Sequence, residues 1–302
     1  MIIEKLQKNP NLFVFKWSYF SSAREGLKQI LVQPQLAGKK ILLPAYIGYS
    51  TREGSGVFDP IVAARTPYIF YPMDASLYID MPALKRMIEK HPGHILLLIH
   101  YFGFKDKNID IIKNLARKYK MVLIEDFAHA LHTFYNDPRQ DFDYAIFSLH
   151  KLLPQSDGGM VLSDRWIKGR QVTSEYDMFR YNLPLIAQQR TENYTCILKA
   201  LRGKARNNSF HVLRPVLGGH VPQTFPILLQ NQEIRDQVYF AMNKAGYGMV
   251  SLYHQLIVQI DKSFNFEHGI SNTILNLPVH QDTAPLQLEG MLKIFFKLLK
   301  KD

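Results

Sequence analysis

The first half of the chain alternates short apolar runs, several of them continuously apolar, with longer stretches that have the polar face of a surface helix. The runs predicted as strands are KILLPAY, PYIFYP, HILLLIHYF, MVLIED and YAIFSL, and the predicted helices are SSAREGLKQILVQ, MPALKRMIEKH and NIDIIKNLARKYK. Strands that are apolar throughout are typical of sheets buried on both faces. Because strands and helices alternate with short connections, the sequence predicts an α/β fold with a mainly parallel central sheet in three layers.

The pattern changes near residues 165–180. A long predicted helix, YNLPLIAQQRTENYTCILKALRG, is followed by TFPILLQ, NQEIRDQVYFAMNKAGYG, MVSLYH, ILNLPVH and the C-terminal helix PLQLEGMLKIFFKLLKK. Fewer strands at wider spacing indicate a smaller α+β domain, and 302 residues suffice for two modest domains. We therefore expect an N-terminal arm and a large α/β domain over residues 1–170, and a smaller C-terminal domain over residues 171–302.

Composition narrows the classes of partner. Cys196 is the single cysteine, and the N-terminal residues lack a secretion pattern, so we expect a cytoplasmic protein. The longest apolar run, HILLLIHYFGF, is shorter than the roughly 20 residues that a membrane-spanning helix needs. The net charge of +11 favours anionic ligands, but the basic stretch LKALRGKARNNSF contains no interleaved aromatic residues. We expect anionic small-molecule substrates, with neither nucleic acid nor a membrane as partner.

The stretch DYAIFSLHKLLPQSDGGMVLSD combines Ser148 and Lys151 with the paired glycines Gly158 and Gly159. Two chemistries fit it: the Ser-x-x-Lys motif of penicillin-binding acyl transferases, and a lysine that forms a Schiff base with pyridoxal phosphate (PLP). The first requires the serine at the start of a helix, with Ser-Asp-Asn and Lys-Thr-Gly motifs elsewhere. Ser148 instead ends a predicted strand and Lys-Thr-Gly is absent. The PLP hypothesis is therefore favoured.

A PLP enzyme also needs an acid against the pyridine nitrogen of the cofactor. Asp126 ends the strand of MVLIEDFAHALH, at the edge where parallel sheets bind ligands. The adjacent Glu125 is expected on the opposite face of the strand. An acid after a strand is commonly a helix cap, but the presence of Lys151 after the next strand favours a role at the cofactor. His100 also ends a predicted strand, so it is expected to face the same cleft.

The phosphate of PLP needs an anion site. Ser21 and Ser22 stand where a helix begins, so backbone N–H groups and the helix dipole could hold a phosphate there. Ser148 could reach the same phosphate from a neighbouring strand end. The histidines near position 129 form no recognised zinc motif, so no metal site is expected.

These segments, in this order, resemble the DegT/DnrJ/EryC1/StrS aminotransferases, which are fold-type I PLP enzymes. IEDFAHA and FSLHKLLPQSDGG are the most specific pieces. The resemblance implies transfer of an amino group from an amino acid such as glutamate to a nucleotide-linked keto-sugar, by a homodimer that shares its sites. It makes Lys151 the Schiff-base lysine and proton shuttle, and Asp126 the pyridinium partner.

The resemblance implies roles for further residues around the cofactor. His129 corresponds to a family position near the 3-oxygen of PLP. Ser22, Ala23 and Ser148 would bind the phosphate, and Tyr46 or Tyr49 would cover the ring. Asn182, in FRYNLP, is a candidate for a phosphate contact across the dimer.

The sequence also departs from the family pattern. Ser148 and Lys151 are three residues apart where the family commonly has five, and the region 165–190 is shortened. SLHK is also similar to the Ser-x-His-Lys of cysteine desulfurase-like lyases, although their reaction needs a mobile cysteine and Cys196 is poorly placed for it. Two alternatives therefore stay open: such a lyase, and a catalytically silent relative that binds a sugar or a partner.

Overall fold

The central sheet contains seven strands in a computed structural model that describes residues 15–138, 141–168, 178–202 and 209–300. Its strands in chain order are β1 (Lys16–Phe20), β2 (Ile41–Pro44), β3 (Tyr68–Tyr71), β4 (Ile95–Ile99), β5 (Val122–Asp126), β6 (Tyr144–Ser148) and β7 (Gly159–Ser163). Their spatial order is β1-β7-β6-β5-β4-β2-β3. Strands β2 to β6 are mutually parallel, and β7 is antiparallel to both of its neighbours. The prediction of a mainly parallel sheet is confirmed.

The first helices connect these strands, as the sequence predicted for three of them. They are α1 (Ala23–Leu31), α2 (Phe58–Ala63), α3 (Met81–Lys90), α4 (Ile109–Lys118) and α5 (Leu131–Asn136). Amphipathic patterning explains their packing, since α1 buries Leu27, Ile30 and Leu31. Strands β4, β5 and β6 are almost wholly buried, as their continuous apolar sequences require.

A second, three-stranded sheet contains β8 (Phe210–Val212), β9 (Thr224–Leu229) and β10 (Ile274–Pro278), all antiparallel. The accompanying helices are α6 (Leu183–Leu201), α7 (Gln232–Lys244), α8 (Asn265–Thr273) and α9 (Pro285–Leu298). MVSLYH forms no strand, only an isolated bridge between Val250 and Asn276. The predicted N-terminal arm and the boundary at residue 170 fall largely or wholly outside the described residues, and the two-domain division stays a prediction.

The parallel strands determine where a ligand can meet the sheet. Strands β4, β5 and β6 end side by side at Ile99, Asp126 and Ser148. Loops leaving these carboxyl ends therefore converge at one edge, which is where open α/β sheets bind ligands. Among the described residues, no helix is both long and apolar enough to cross a membrane.

Candidate active site

Asp126, His129 and Lys151 meet at the carboxyl ends of β5 and β6. The amine Nζ of Lys151 lies 3.1 Å from His129 Nε2. Asp126 Oδ1 accepts a hydrogen bond of 2.7 Å from the backbone N–H of Ala128, which fixes the carboxylate at the strand end. The charges of Asp126 and Lys151 stabilise each other across the site. The structure thus brings together the three residues that the sequence nominated for catalysis.

The surroundings shift all three groups toward their neutral forms. Burial raises the pKa of Asp126, although the Ala128 N–H and the Lys151 charge oppose the shift. Burial likewise lowers the pKa of Lys151, against the attraction of Asp126. Burial and the Lys151 charge hold the pKa of His129 well below its usual range. Lys151 still reaches solvent through an open cleft, so its amine is both activated and accessible.

Glu125 lies behind the site and joins two other elements. Its Oε2 is 2.8 Å from His100 Nε2, and its Oε1 is 2.7 Å from Lys113 Nζ on α4. All three side chains are buried. Burial alone would raise the pKa of Glu125. The hydrogen bonds and charges of His100 and Lys113 have the larger effect, so the pKa lies below its ordinary value of 4.5. His100, which was expected to face the cleft, instead hydrogen-bonds Glu125, and its ring packs on Phe127.

We expect Glu125→Gln to lower the free energy of unfolding by about 3 kcal/mol, because it removes the charge from a buried ion pair. The pKa of Glu125 is lowered in the folded state, so its contribution is complete above pH 4.5 and is lost as the pH falls through the lowered value. Urea unfolding at several pH values measures this difference. Glu89→Gln is the control, since the exposed Lys85–Glu89 pair, at 4.0 Å, should contribute little. Equal effects of both variants would contradict the buried-pair account.

The paired glycines bring β7 against the start of α1. Gly159 lies opposite Ser148 in the β6–β7 ladder. A Cβ at Gly159 would lie 2.1 Å from the carbonyl carbon of Ser22 and 2.2 Å from Ala23 N, so only glycine allows this approach. Ser22 caps α1 by accepting a 3.2 Å hydrogen bond from Glu25 N. The three residues predicted to bind phosphate, Ser22, Ala23 and Ser148, therefore converge around one glycine.

Gly159→Ala tests this approach. We expect a loss of stability of about 1–3 kcal/mol, because the methyl group would overlap the backbone at Ser22–Ala23 and push β7 from α1. Affinity for inorganic phosphate or PLP should fall as well. Gly56→Ala is the matched control, since no atom lies within 4 Å of a Cβ built there. Thermal unfolding and titration with PLP measure the two effects, and an unchanged melting temperature for Gly159→Ala would contradict the packing.

The remaining predicted residues are exposed or have other hydrogen-bond partners. Tyr46 is fully buried, and its hydroxyl accepts a 2.8 Å hydrogen bond from Tyr253 N. Tyr49 is 40% exposed. Asn182 caps α6 through a 3.2 Å hydrogen bond from Leu185 N. Their proposed contacts with the cofactor or the partner subunit stay predictions.

Tyr253 is a site residue that the sequence analysis missed. Its hydroxyl lies 3.5 Å from His129 Nε2, and the two ring centroids are 6.2 Å apart. Its position requires Gly48, because a Cβ there would lie 1.9 Å from Tyr253 Cδ1. The glycine in PAYIGYS was the only trace of this contact, and a glycine does not identify the distant side chain that it accommodates.

The second half of the chain completes a cleft beside Lys151. The cleft has a volume of about 540 Å³ and is lined by Lys151, Arg190 of α6, the Gly246–Gly248 turn and residues near the end of β10. This volume is typical of small-molecule sites. Cys196 is exposed on α6 and is not among the lining residues.

Part of the chain matches the model of a known protein family. Residues 56–168 match the model of the DegT/DnrJ/EryC1/StrS aminotransferase family. A UDP-4-amino-4,6-dideoxy-N-acetyl-beta-L-altrosamine transaminase from Campylobacter jejuni is 29% identical over 131 residues, which cover 42% of this chain and 34% of the relative. The match thus spans about a third of that relative's length.

Solved structures resemble nearly the whole chain. Helicobacter pylori PseC, an aminotransferase of pseudoaminic acid biosynthesis, has a TM-score of 0.75 at 14% identity, covering 95% of this chain and 87% of PseC. The Bacillus subtilis protein ntda, solved with bound PMP, has a TM-score of 0.72 at 15% identity, covering 96% of this chain and 74% of that one. The predicted fold, that of fold-type I PLP enzymes, is confirmed.

Proposed function

We propose that this chain, a relative of the DegT/DnrJ/EryC1/StrS aminotransferases, is itself a PLP-dependent aminotransferase. The observation that carries the proposal is the pairing of Asp126 and Lys151 at neighbouring strand ends, with His129 at 3.1 Å from the amine. A buried acid with a raised pKa beside an amine with a lowered pKa is costly for a protein that only needs to fold. The arrangement suits imine chemistry at Lys151.

The residues present fit PLP. Asp126 would hold the pyridine nitrogen, Lys151 would bond the aldehyde carbon, and Ser22, Ala23 and Ser148 would hold the phosphate at the start of α1. His129 Nδ1 is buried with no hydrogen-bond partner among the described residues, so its ring has capacity for a further contact. When bound, PLP supplies an electron sink for the bond changes at the amino carbon.

The side chains of the chain itself would perform the acid–base work. Lys151, with its lowered pKa, offers a neutral amine for bond formation near neutral pH more readily than a free lysine does. With PLP and an amino donor bound, a free Lys151 amine would be placed to accept a proton from the donor carbon and to return it. His129 stays neutral because its pKa is lowered, and its Nε2 holds the Lys151 amine toward the site.

An amino acid such as glutamate is the proposed amino donor, and a nucleotide-linked keto-sugar is the proposed acceptor. The names of the Campylobacter and Helicobacter proteins support this substrate class. The net charge of +11 suits anionic substrates. We further propose a cytoplasmic homodimer, which light scattering of the purified protein tests directly.

The decisive experiment is visible absorbance after PLP is added, followed by borohydride reduction and peptide mapping. The expected result is a yellow absorbance band that glutamate bleaches. In a separate sample, borohydride should fix PLP to Lys151, as peptide mapping would show. A band that cysteine bleaches with release of sulfide would favour the desulfurase-like alternative. The absence of a band, or PLP trapped only on scattered exposed lysines, would reject the enzyme and favour the silent relative.

A further inference from the structure

Arg190 occupies a core position on helix α6. The helix buries Leu183, Ala187, Arg190, Tyr194, Ile197 and Leu201. These positions are three or four residues apart, so they form the stripe that packs on the rest of the protein. An arginine in such a stripe is unusual, since charged side chains are rarely fully buried unless they are paired. Arg190 is only 2% exposed, yet it lines the same cleft as Lys151.

The guanidinium of Arg190 is incompletely partnered. Its Nη1 donates a 3.1 Å hydrogen bond to the backbone carbonyl of Gln223. Its Nε has no hydrogen-bond partner in the described parts of the chain, and neither has the side-chain oxygen of Gln223. A guanidinium presents five N–H donors in a planar fork, so this one retains unused capacity inside the cleft.

The groups that face Arg190 leave its charge uncompensated. Within the described residues, no carboxylate lies within 4.0 Å of it. The charge that acts on it most is Asp282, whose side chain is 77% exposed and pairs with His280 at 3.3 Å. Burial lowers the pKa of Arg190 only to about 10, so it is charged at neutral pH. Burial and the Arg190 charge lower the pKa of nearby His132 to about 4, which leaves His132 neutral.

We propose that Arg190 binds a carboxylate of the amino donor, and of the keto acid that the donor becomes. The inference rests on the proposed aminotransferase function, because it assigns the donor to the cleft beside Lys151. A buried arginine fork suits the planar carboxylate, which can accept two parallel hydrogen bonds.

A diphosphate is the less suitable occupant of this position. Arg190 and Lys151 are the only lysine or arginine side chains among the described residues that line the cleft, and the amine of Lys151 is committed to the proposed imine chemistry. One free guanidinium balances the single charge of a carboxylate, whereas a nucleoside diphosphate carries at least two.

Binding to the PLP-loaded protein tests this assignment without relying on turnover. The probes are 2-oxoglutarate, which cannot react while the cofactor carries no amine, and UDP, which carries a diphosphate but no carboxylate. Isothermal titration of both probes would compare the original chain with Arg190→Gln, Arg190→Lys and Asp282→Asn. We expect Arg190→Gln to weaken 2-oxoglutarate binding by roughly 10- to 100-fold, as for the loss of a charge-assisted bidentate contact. Arg190→Lys should recover part of this loss, and UDP binding should not change.

Asp282→Asn is the matched control, because it removes the carboxylate whose charge acts on Arg190 without touching the guanidinium. If Asp282→Asn weakens the binding of 2-oxoglutarate as much as Arg190→Gln does, Arg190 and Asp282 form a structural pair and the inference is wrong. If Arg190→Gln weakens the binding of UDP but not of 2-oxoglutarate, the guanidinium holds a diphosphate and the carboxylate assignment is overturned. If Arg190→Gln does not fold, Arg190→Lys becomes the test. An affinity of Arg190→Lys for 2-oxoglutarate equal to that of the unmodified protein would reject the assignment.

Failure of this inference is distinguishable from failure of the proposed function. A chain that traps PLP on Lys151 but does not bind 2-oxoglutarate would overturn the role of Arg190 alone. A chain that does not trap PLP on Lys151 would overturn both.

Discussion

Lys151→Ala is expected to abolish covalent capture of PLP and to lower transamination by at least about a thousandfold. No other amine is known to lie in the site, since Lys151 is the only lysine among the described residues that line the cleft. The variant should stay folded, because part of the Lys151 side chain reaches solvent. Visible absorbance, peptide mapping after borohydride and the rate of amino transfer measure the three effects.

Two further variants separate the amine from its charge. Lys151→Arg keeps a cation beside Asp126, but a guanidinium does not lose its proton in proteins, so it should be as inactive as alanine. Lys107→Ala removes an exposed lysine that pairs with Asp74 at 3.4 Å, and it should leave capture unchanged. If Lys151→Ala still traps PLP at a single site and transfers amino groups, Lys151 is not the reacting amine.

The pH dependence of capture adds a test of the electrostatics. Burial lowers the pKa of Lys151 from 10.5, whereas the charge of Asp126 raises it. Only the neutral amine forms the bond, so the rate of capture should rise with pH and level off below pH 10.5. Removing the Asp126 charge should shift this profile to lower pH, because Asp126 is the main charge that opposes the lowering of the Lys151 pKa by burial.

The sheet shows which parts of the fold were accessible from the sequence. The five parallel strands were predicted from their apolar runs, and for β2, β4, β5 and β6 burial on both faces explains that composition. Strand β3, at the edge of the sheet, is apolar but only partly buried. Strands β1 and β7 were not predicted. Lys16–Phe20 is only partly buried, unlike a strand covered on both faces. Gly159–Ser163 is wholly buried, but it has only three consecutive apolar residues between a glycine and a serine, which is too short a run to predict a strand. Strands β1 and β7 pair with each other although the other five strands of the sheet lie between them in the sequence. Local sequence patterns do not specify such distant partners.

The site shows the same division between local and distant information. Asp126, His129, Ser148 and Lys151 lie within 26 positions of one another, and each adjoins a recognisable strand end. Tyr253 and Arg190 approach them from the second half of the chain. The apolar stripe on α6 did contain a signal for Arg190, since it recurs at core spacing with Leu183, Ala187 and Tyr194. Which cleft that arginine would line depended on how the helix docks, and no local pattern specifies that.

Asp126→Asn is expected to lower the rate of amino transfer at least about a hundredfold while leaving the fold intact. The amide has the shape of the carboxylate, and its oxygen can still accept the 2.7 Å hydrogen bond from Ala128 N. It lacks the negative charge that would keep a proton on the pyridine nitrogen. Without that proton, electrons released at the substrate carbon are poorly stabilised, so the loss should appear in kcat rather than in the donor KM.

Asp80→Asn separates this electrostatic effect from a simple change of side chain. Asp80 caps α3 by accepting a 2.9 Å hydrogen bond from Ala83 N, a role that asparagine fills about as well as aspartate. Both variants should therefore melt near the temperature of the original chain, and only Asp126→Asn should lose activity. A fully active Asp126→Asn would show that the buried carboxylate only caps its own strand end. Loss of PLP capture together with unfolding would instead assign Asp126 a structural role, because the charge-based account requires a folded protein that binds PLP and transfers amino groups slowly.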